Sequence, residues 1–352
     1  MDLNNFILSL LIVVFGLIFY KFVIARMNAY YPKLLVDDQF KKPQAFHSKA
    51  ISITGGMGIY FSLLIVILSL YILEDIFFVQ YLSFCTLFFL LGLMDDLKLD
   101  IQPKIRLILM ILFLILLVKF NNFYIYKTGI GILNDWIANS NLFSLIFVCL
   151  CFLFIINGAN LIDGYNGLLG FHSTIILVNL FLINYFNENY NLTILLLYTI
   201  LILLIFLTFN FPKAKVFLGD SGSYLLGVFI AFSAIQTSIA NPQISPFYFC
   251  ILMFYLFFEV FFSFFRKLIK EKKSPMLPDE KHLHMLLYKM LLKKNTDKIK
   301  SNYYVSIFIN TAYLILIIPA IFMMENGEFC KYYSLIFFII YIFSYKKMSN
   351  KL

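Results

Sequence analysis

The chain has 352 residues, 62% of them hydrophobic, 19% aromatic and only 13% charged, with a formal net charge of +9. Soluble domains carry about 25% charged residues, so this composition excludes a water-soluble globular protein and points to an integral membrane protein. No nucleic-acid partner is expected.

Apolar runs long enough to cross a hydrocarbon core, about 20 residues with a range of roughly 17 to 25, recur along the whole chain. They fall at about 6–24, 51–73, 77–94, 104–120, 142–157, 168–185, 192–209, 222–239, 246–265, 303–323 and 332–345, which predicts eleven membrane-spanning helices. The runs are continuously apolar rather than alternating, so a helical bundle is expected and a barrel is not. The leader "MDLNN" lacks the basic segment of a cleaved signal peptide, and the first run is expected to stay as a span. Segments after odd-numbered runs hold 25 of the 28 Lys and Arg residues, leaving Lys119, Lys127 and Lys331 on the other side. Basic loops stay in the cytoplasm, so the N-terminus is expected outside and the C-terminus inside. The five cysteines are an odd number, and Cys85, Cys149, Cys151 and Cys250 lie within apolar runs, so no disulfide framework is implied.

The predicted outer connections are bland; the inner ones are not. After the first run comes "VDDQFKKPQAFHSKAISITGG", with His47 and a glycine pair, Gly55 and Gly56. After the third comes "GLMDDLKLDIQPKIR", with adjacent carboxylates Asp95 and Asp96, and after the fifth "NGANLIDGYNGLLG", with Asn157, Asn160, Asp163 and Asn166. After the seventh comes "FNFPKAKVFLGDSGSYLLG", with Asn210 and Asp220, and after the ninth a basic segment containing "LPDEKHLHM", with Asp279, His282 and His284. Taken singly, an acidic pair at a helix end is usually a solvated cap, a glycine pair a close-packing site, and a lysine run a topology signal or headgroup contact. Together, topology gathers these clusters on one face of the membrane.

Several carboxylates side by side repel unless a cation joins them, and a hard cation such as Mg²⁺, or Mn²⁺ in its place, prefers oxygen ligands. Asp95, Asp96, Asp163 and Asp220, with the amide oxygen of Asn160, form a pool of such ligands. Nearby Lys and His would meet anionic oxygens, and helix starts after "GYNG" and "GDSGS" would offer free N–H groups to phosphate. That inventory fits an Mg²⁺-dependent reaction of phosphates at the inner surface. Glu259 lies inside the ninth run, where a charge costs roughly 2.5–3.5 kcal/mol on insertion scales, so it must face protein; Arg266, two turns on, is one candidate partner and support of the site is the other role. His172 reads as a satisfied helix residue, and most of the 43 Phe as lipid-facing surface.

In the order and wording of these motifs the chain resembles the polyprenyl-phosphate N-acetylhexosamine-1-phosphate transferases (glycosyltransferase family 4), over roughly residues 30–290. The resemblance rests on "GLMDDLKL", "NGANLIDGYNGLLG", "FNFPKAKVFLGDSGS" and "PDEKHLH". It implies catalytic or lipid-phosphate roles for Asp95 and Asp96, metal contacts for Asp220 and Asn160, and a place for Asp163 beside the metal and pyrophosphate. It further implies substrate contacts for His47, Asn157, Asn166 and Asn210, with His282 and His284 near the phosphates or sugar. This chain departs from the family pattern at Asn166, where an acid is common, at Glu280 and Met285 in the histidine motif, and before His47, where an Arg is common.

The resemblance implies one membrane-embedded transferase domain over 1–352, with catalytic cytoplasmic loops at about 25–50, 95–103, 157–168, 210–222 and 266–302. The implied partners are a UDP-N-acetylhexosamine, undecaprenyl phosphate and the lipids of the bacterial inner membrane. The implied reaction yields UMP and a lipid-linked pyrophosphoryl sugar, GlcNAc being the favoured hexosamine and muramoyl-pentapeptide the alternative substrate. From another class, a cation-binding transporter would place ionisable groups near the midplane in two repeated halves; apart from Glu259 the sequence holds no such pattern.

Overall fold

The computed structural model describes residues 3–30, 35–37, 51–99, 101–275, 279–294 and 297–352. Its described residues form fourteen α-helices, one π-helical turn and a two-stranded ribbon. The helices are α1 (Leu3–Tyr30), α2 (Gly55–Glu74), α3 (Val79–Asp96), α4 (Pro103–Phe120), α5 (Gly131–Asn139), α6 (Asn141–Ile162) and α7 (Leu168–Phe186). They continue with α8 (Tyr190–Asn210), α9 (Gly219–Ala240), α10 (Pro246–Leu252), α11 (Phe254–Phe265), α12 (Leu283–Lys294), α13 (Lys298–Phe322) and α14 (Gly327–Ser349).

The apolar runs fall on helices, the second starting in the strand Ile51–Ser52 and the ninth divided between α10 and α11. Local chemistry sets several boundaries: Ser140, Ser245, Asp297 and Asn326 cap the starts of α6, α10, α13 and α14 by accepting first-turn N–H bonds, and Pro103 and Pro246 open α4 and α10. Among the described residues eight helices are long and apolar enough to cross a membrane, or nine if α10 and α11 count as one bent span. That is fewer than the eleven expected. The described apolar part of α1, Ile7–Phe22, is shorter, and α4 carries Lys104, Arg106 and Lys119. The protein is a polytopic helical membrane protein.

The ninth run does not form one straight helix. α10 and α11 meet at Met253 at an angle of 75°, and the carbonyl of Leu252 at the break accepts the hydroxyl of Tyr313 on α13 at 2.6 Å. Satisfying the freed backbone group from a neighbouring helix is what allows a break inside a membrane bundle. α11 then runs into the π-helical turn Arg266–Lys270. β1 (Val36–Asp37) and β2 (Ile51–Ser52) pair antiparallel, and Ser52 bridges to Val216, so a short ribbon is added to an otherwise helical fold.

α9 is the centre of the bundle, with 78% of its apolar stretch buried against 17% for the peripheral α14. It packs on α3, α6, α2 and α7. The phenylalanines divide between two roles rather than mostly facing lipid. Phe120, Phe186 and Phe322 are exposed apolar surface, whereas Phe84, Phe152 and Phe232 are fully buried and, with Phe123, form an aromatic core between α3, α6 and α9. All five cysteines are free.

Candidate active site

One end of the bundle is built by backbone contact. The N–H groups of Gly55 and Gly56 at the start of α2 donate to the carbonyls of Phe217 and Leu218, at 2.9 and 2.8 Å. A Cβ on Gly56 would strike the backbone of Gly222, and one on Gly92 near the end of α3 would strike the carbonyl of Asp220. The glycines are therefore close-packing sites, and they bring α2 and α3 onto the first turn of α9.

That approach fixes the second member of the acidic pair. Asp96 accepts the backbone N–H of Asp220 on Oδ1 at 2.8 Å and that of Ser221 on Oδ2 at 3.0 Å. A carboxylate at a helix N-terminus satisfies orphan donors and complements the dipole. Gly219 makes room for it: its φ is 79°, and an added Cβ would lie 2.7 Å from Asp96 Oδ2. The expectation of free N–H groups for phosphate after "GDSGS" is thus corrected. The helix begins at Gly219, inside the motif, and Asp96 takes the N–H groups of Asp220 and Ser221.

Asp95 points elsewhere, to the guanidinium of Arg106 in the first turns of α4, which also reaches Asp220 Oδ2 at 3.4 Å. Asn160 near the end of α6 donates its amide to Asp220 Oδ1 at 2.8 Å and to Ser223 Oγ at 3.0 Å. Asp163, just past α6, receives no hydrogen bond on its carboxylate among the described residues. Burial, and then the carboxylates of Asp220 and Asp96, push its carboxyl well above the usual range. Asp95, Asp96, Asp163, Asp220 and Asn160 therefore converge on one place, with Arg106 as the cation paired to two of them.

This donor set fits a hard divalent cation. The carboxylates of Asp163, Asp220 and Asp96 stand close enough to repel one another, the situation a dication relieves. Among the described residues no three of His, Cys, Asp and Glu form a ready-made cage, as expected for a cation that takes one or two carboxylates and completes its shell with substrate phosphates and water.

The "DGYNG" turn is held from two sides. Asn166 donates its backbone N–H to Asn302 Oδ1 at 2.9 Å and its side chain to the carbonyl of Pro212 at 2.9 Å. Asn210 accepts the N–H of Gly167 at 2.6 Å and donates to the carbonyl of Val216 at 2.8 Å, so it clasps three segments together. Those bonds engage both side-chain amides, and the N–H groups of Asn166 and Gly167 before α7 are likewise taken. Asn157, one turn before Asn160, bonds back to the carbonyl of Leu153 at 2.7 Å. His47 lies outside the described residues.

The histidine motif forms a second cluster. His282 Nδ1 lies 3.1 Å from Glu259 Oε2, and its Nε2 lies 3.7 Å from Asp279 Oδ2. His284 Nδ1 lies 3.3 Å from the hydroxyl of Tyr255, and its ring meets that of Tyr165, in the "DGYNG" turn, at 5.5 Å. Burial pushes the His284 imidazole down to about 3, which keeps it neutral. Arg266 does not pair with Glu259. It binds Asp279 and Glu271, because the π-helical turn carries it toward the loop. His172 is half satisfied: Nδ1 meets Asn310 Oδ1 at 3.1 Å, while Nε2 has no partner.

Three parts of this site escaped the sequence reading. Arg106 stands inside the quoted "DIQPKIR" and had only its position, a cation opening a span shortly after the acids, to mark it. Tyr165 had no signal. Asn302, Ser306 and Asn310 on α13 hold the "DGYNG" turn and the start of α7 through Asn166 and Leu168. Their four-residue spacing on an apolar helix was a readable polar stripe.

Comparison with known proteins gives the family. The signature described as "Glycosyl transferase family 4" matches residues 78–238. The chain is 30% identical over 250 residues to the undecaprenyl-phosphate alpha-N-acetylglucosaminyl 1-phosphate transferase of Thermotoga maritima, covering 71% of this chain and 72% of that enzyme. It is 39% identical over 151 residues to the phospho-N-acetylmuramoyl-pentapeptide-transferase of Dictyoglomus turgidum, covering 41% of this chain and 48% of the relative. Against the undecaprenyl-phosphate alpha-N-acetylglucosaminyl 1-phosphate transferase of Escherichia coli O157:H7 it is 26% identical over 248 residues, covering 68% of this chain and 66% of the relative. A chain with this polytopic bundle and this acidic site belongs to glycosyl transferase family 4.

Proposed function

We propose that the protein transfers N-acetylhexosamine 1-phosphate, with GlcNAc 1-phosphate the favoured group, from a UDP-sugar to undecaprenyl phosphate. An oxygen of the lipid phosphate attacks the sugar-linked phosphorus, the bond to the bridging oxygen breaks, and UMP leaves with that oxygen. The observation that carries this reading is the convergence of Asp95, Asp163, Asp220 and Asn160 at the end of the bundle, with Arg106 paired to Asp95 and Asp220. The broad match to the Thermotoga maritima enzyme supports GlcNAc as the sugar. The match to a muramoyl-pentapeptide transferase keeps that substrate as the second reading, over a smaller share of the chain.

In this reading all eleven apolar runs cross the bilayer of the bacterial inner membrane, the N-terminus lies outside, and the site faces the cytoplasm, where UDP-sugars are found. Asp163 and Asp220 would hold Mg²⁺, with Asn160 as the neighbouring amide. Bound there, the ion supplies neutralisation of the charge that grows on departing UMP. Asp96 fixes the first turn of α9 and so the direction of Asp220. The lipid phosphate needs little help to ionise, since a phosphate monoester has its second pKa near 6, so Arg106 orients it as a cation and Asp95, which holds Arg106, is not required as a base. His284, at the start of α12 beside Tyr165, serves the sugar phosphate, and Asn166 and Asn210 shape the nucleotide side by holding the "DGYNG" turn.

The test is UMP release by the purified protein with undecaprenyl phosphate and a panel of UDP-N-acetylhexosamines, with and without Mg²⁺, alongside Asp220→Ala. Release that needs both lipid and metal and disappears in the variant is expected. A folded protein that releases no UMP from any donor, the muramoyl-pentapeptide nucleotide included, overturns the reading.

A further inference from the structure

Glu259 is the most costly residue in the bundle to leave unexplained. It sits on α11 with 1% of its surface exposed, and a buried carboxylate persists only where donors compensate it. Two of its donors belong to the histidine loop, while the hydroxyls of Tyr255 and Tyr341 stand beside it from the bundle. Oε2 faces His282 Nδ1 at 3.1 Å, and Oε1 accepts the backbone N–H of Leu283, the first residue of α12, at 3.1 Å. A carboxylate only accepts, so the imidazole carries its proton on Nδ1. On its other edge His282 faces Asp279, which is anchored by Arg266 and by the N–H of Lys281 at 3.0 Å.

His282 is therefore held through Nδ1, while His284 is placed differently. Its ring lies parallel to that of His282, at 3° with centroids 5.5 Å apart. Nδ1 is engaged by Tyr255, and Nε2 is buried with no partner among the described residues. Buried polar atoms without partners are rare and call for an explanation. The ring rests on Tyr165, two residues past Asp163.

We propose that Glu259 is a positioning residue: through His282 and the start of α12 it latches the histidine loop onto the bundle and seats His284, with one nitrogen uncommitted, against the turn that carries Asp163. The division of labour between the two histidines follows, His282 as the latch and His284 as the group that meets substrate. The role of His284 rests on the transferase reading above; the latch itself does not.

Two measurements separate them. In Glu259→Gln, backbone hydrogen exchange over residues 279–294 is expected to speed up at least about tenfold, with α2, α3 and α9 unchanged. His282→Ala is expected to do the same, whereas His282→Asn, which keeps an N–H close to the Nδ1 position, retains protection within about threefold. Unchanged exchange in Glu259→Gln and His282→Ala overturns the latch. Should Glu259→Gln not fold, the contrast between the two His282 variants decides the matter from the loop side.

For the seating of His284, kcat for UMP release is expected to fall about 10²-fold in Glu259→Gln, the scale on which misplacement of about 1 Å acts, but less than about threefold when the substitution is made on His284→Ala. Residues that act through one another are not additive; a loss of equal size on both backgrounds refutes the seating. If the wild-type protein released no UMP at all, the transferase reading would fall, and hydrogen exchange would still decide the latch.

Discussion

Asp96 and Asp220 lie 124 positions apart, and the carboxylate of the first holds the backbone N–H of the second at 2.8 Å. Adjacent in sequence, Asp95 and Asp96 thus have separate tasks: one faces Arg106, and the other anchors the helix that carries Asp220. Asp96→Asn replaces one accepting oxygen by a donor and leaves an N–H of Asp220 or Ser221 without a partner. Hydrogen bonds to charged groups contribute about 1.5–3 kcal/mol, so a clear fall in melting temperature is expected together with loss of turnover. Asp95→Asn is expected to lose turnover with little change in melting. Equal melting shifts in the two variants, followed by scanning fluorimetry, would refute the division.

The contact between α3 and α9 can be tested by a single methyl group. Gly92→Ala places a Cβ against the Asp220 carbonyl, and overpacking of this kind costs typically about 1–3 kcal/mol. Lower stability and lower activity are expected together, since the displaced residue is Asp220. Gly131→Ala is the control, because nothing lies within 4 Å of its Cβ position; it is expected to leave both unchanged.

Arg106 shares its guanidinium between Asp95 and Asp220. Removing it in Arg106→Ala leaves the acids to repel one another, so the Mg²⁺ concentration for half-maximal UMP release is expected to fall several-fold while kcat drops. Arg106→Lys, which lacks the planar fork, is expected to lie between. An Mg²⁺ titration of both variants checks this, and an unchanged midpoint in Arg106→Ala would count against Arg106 as a competing cation.

His284 gives a pH dependence with a definite sign. Its folded value of about 3 lies below the ordinary 6.5 because burial penalises the charged form. Below 6.5 the unfolded chain therefore binds a proton that the folded one refuses. Stability is full above about pH 6.5 and is lost as pH falls toward 3. Between pH 6.5 and 5 the loss from this group is on the order of 1 kcal/mol. Melting of His284→Gln is expected to fall less steeply over that window than melting of the wild type; parallel curves would contradict it.

The family motifs were legible because each is a run of polar residues interrupting apolar sequence, and the parity of the spans assigned them to one face. Hidden were contacts that depend on which side of a helix faces which neighbour. Glu259 was seen to need a partner, and Arg266 on the same helix was the natural candidate; the π-helical turn removes Arg266, and the loop beginning at His282 takes its place. The bend at Met253 had no mark either, since neither Pro nor Gly stands there and its carbonyl partner, Tyr313, lies on α13.

The sequence by itself determined that this is a helical membrane protein with its acids, amides and histidines at one end. Apolar run length and loop charge are local properties that the bilayer reads directly. Only the tertiary structure decided what each polar group does. Asp96 became a cap, Asp220 the residue it aims, His282 a latch, and Arg106 a bridge, through contacts between segments far apart in the chain. Those contacts rest on backbones brought together where Gly56, Gly92 and Gly219 leave no side chain in the way, and the phase of one helix against another is written in no single segment.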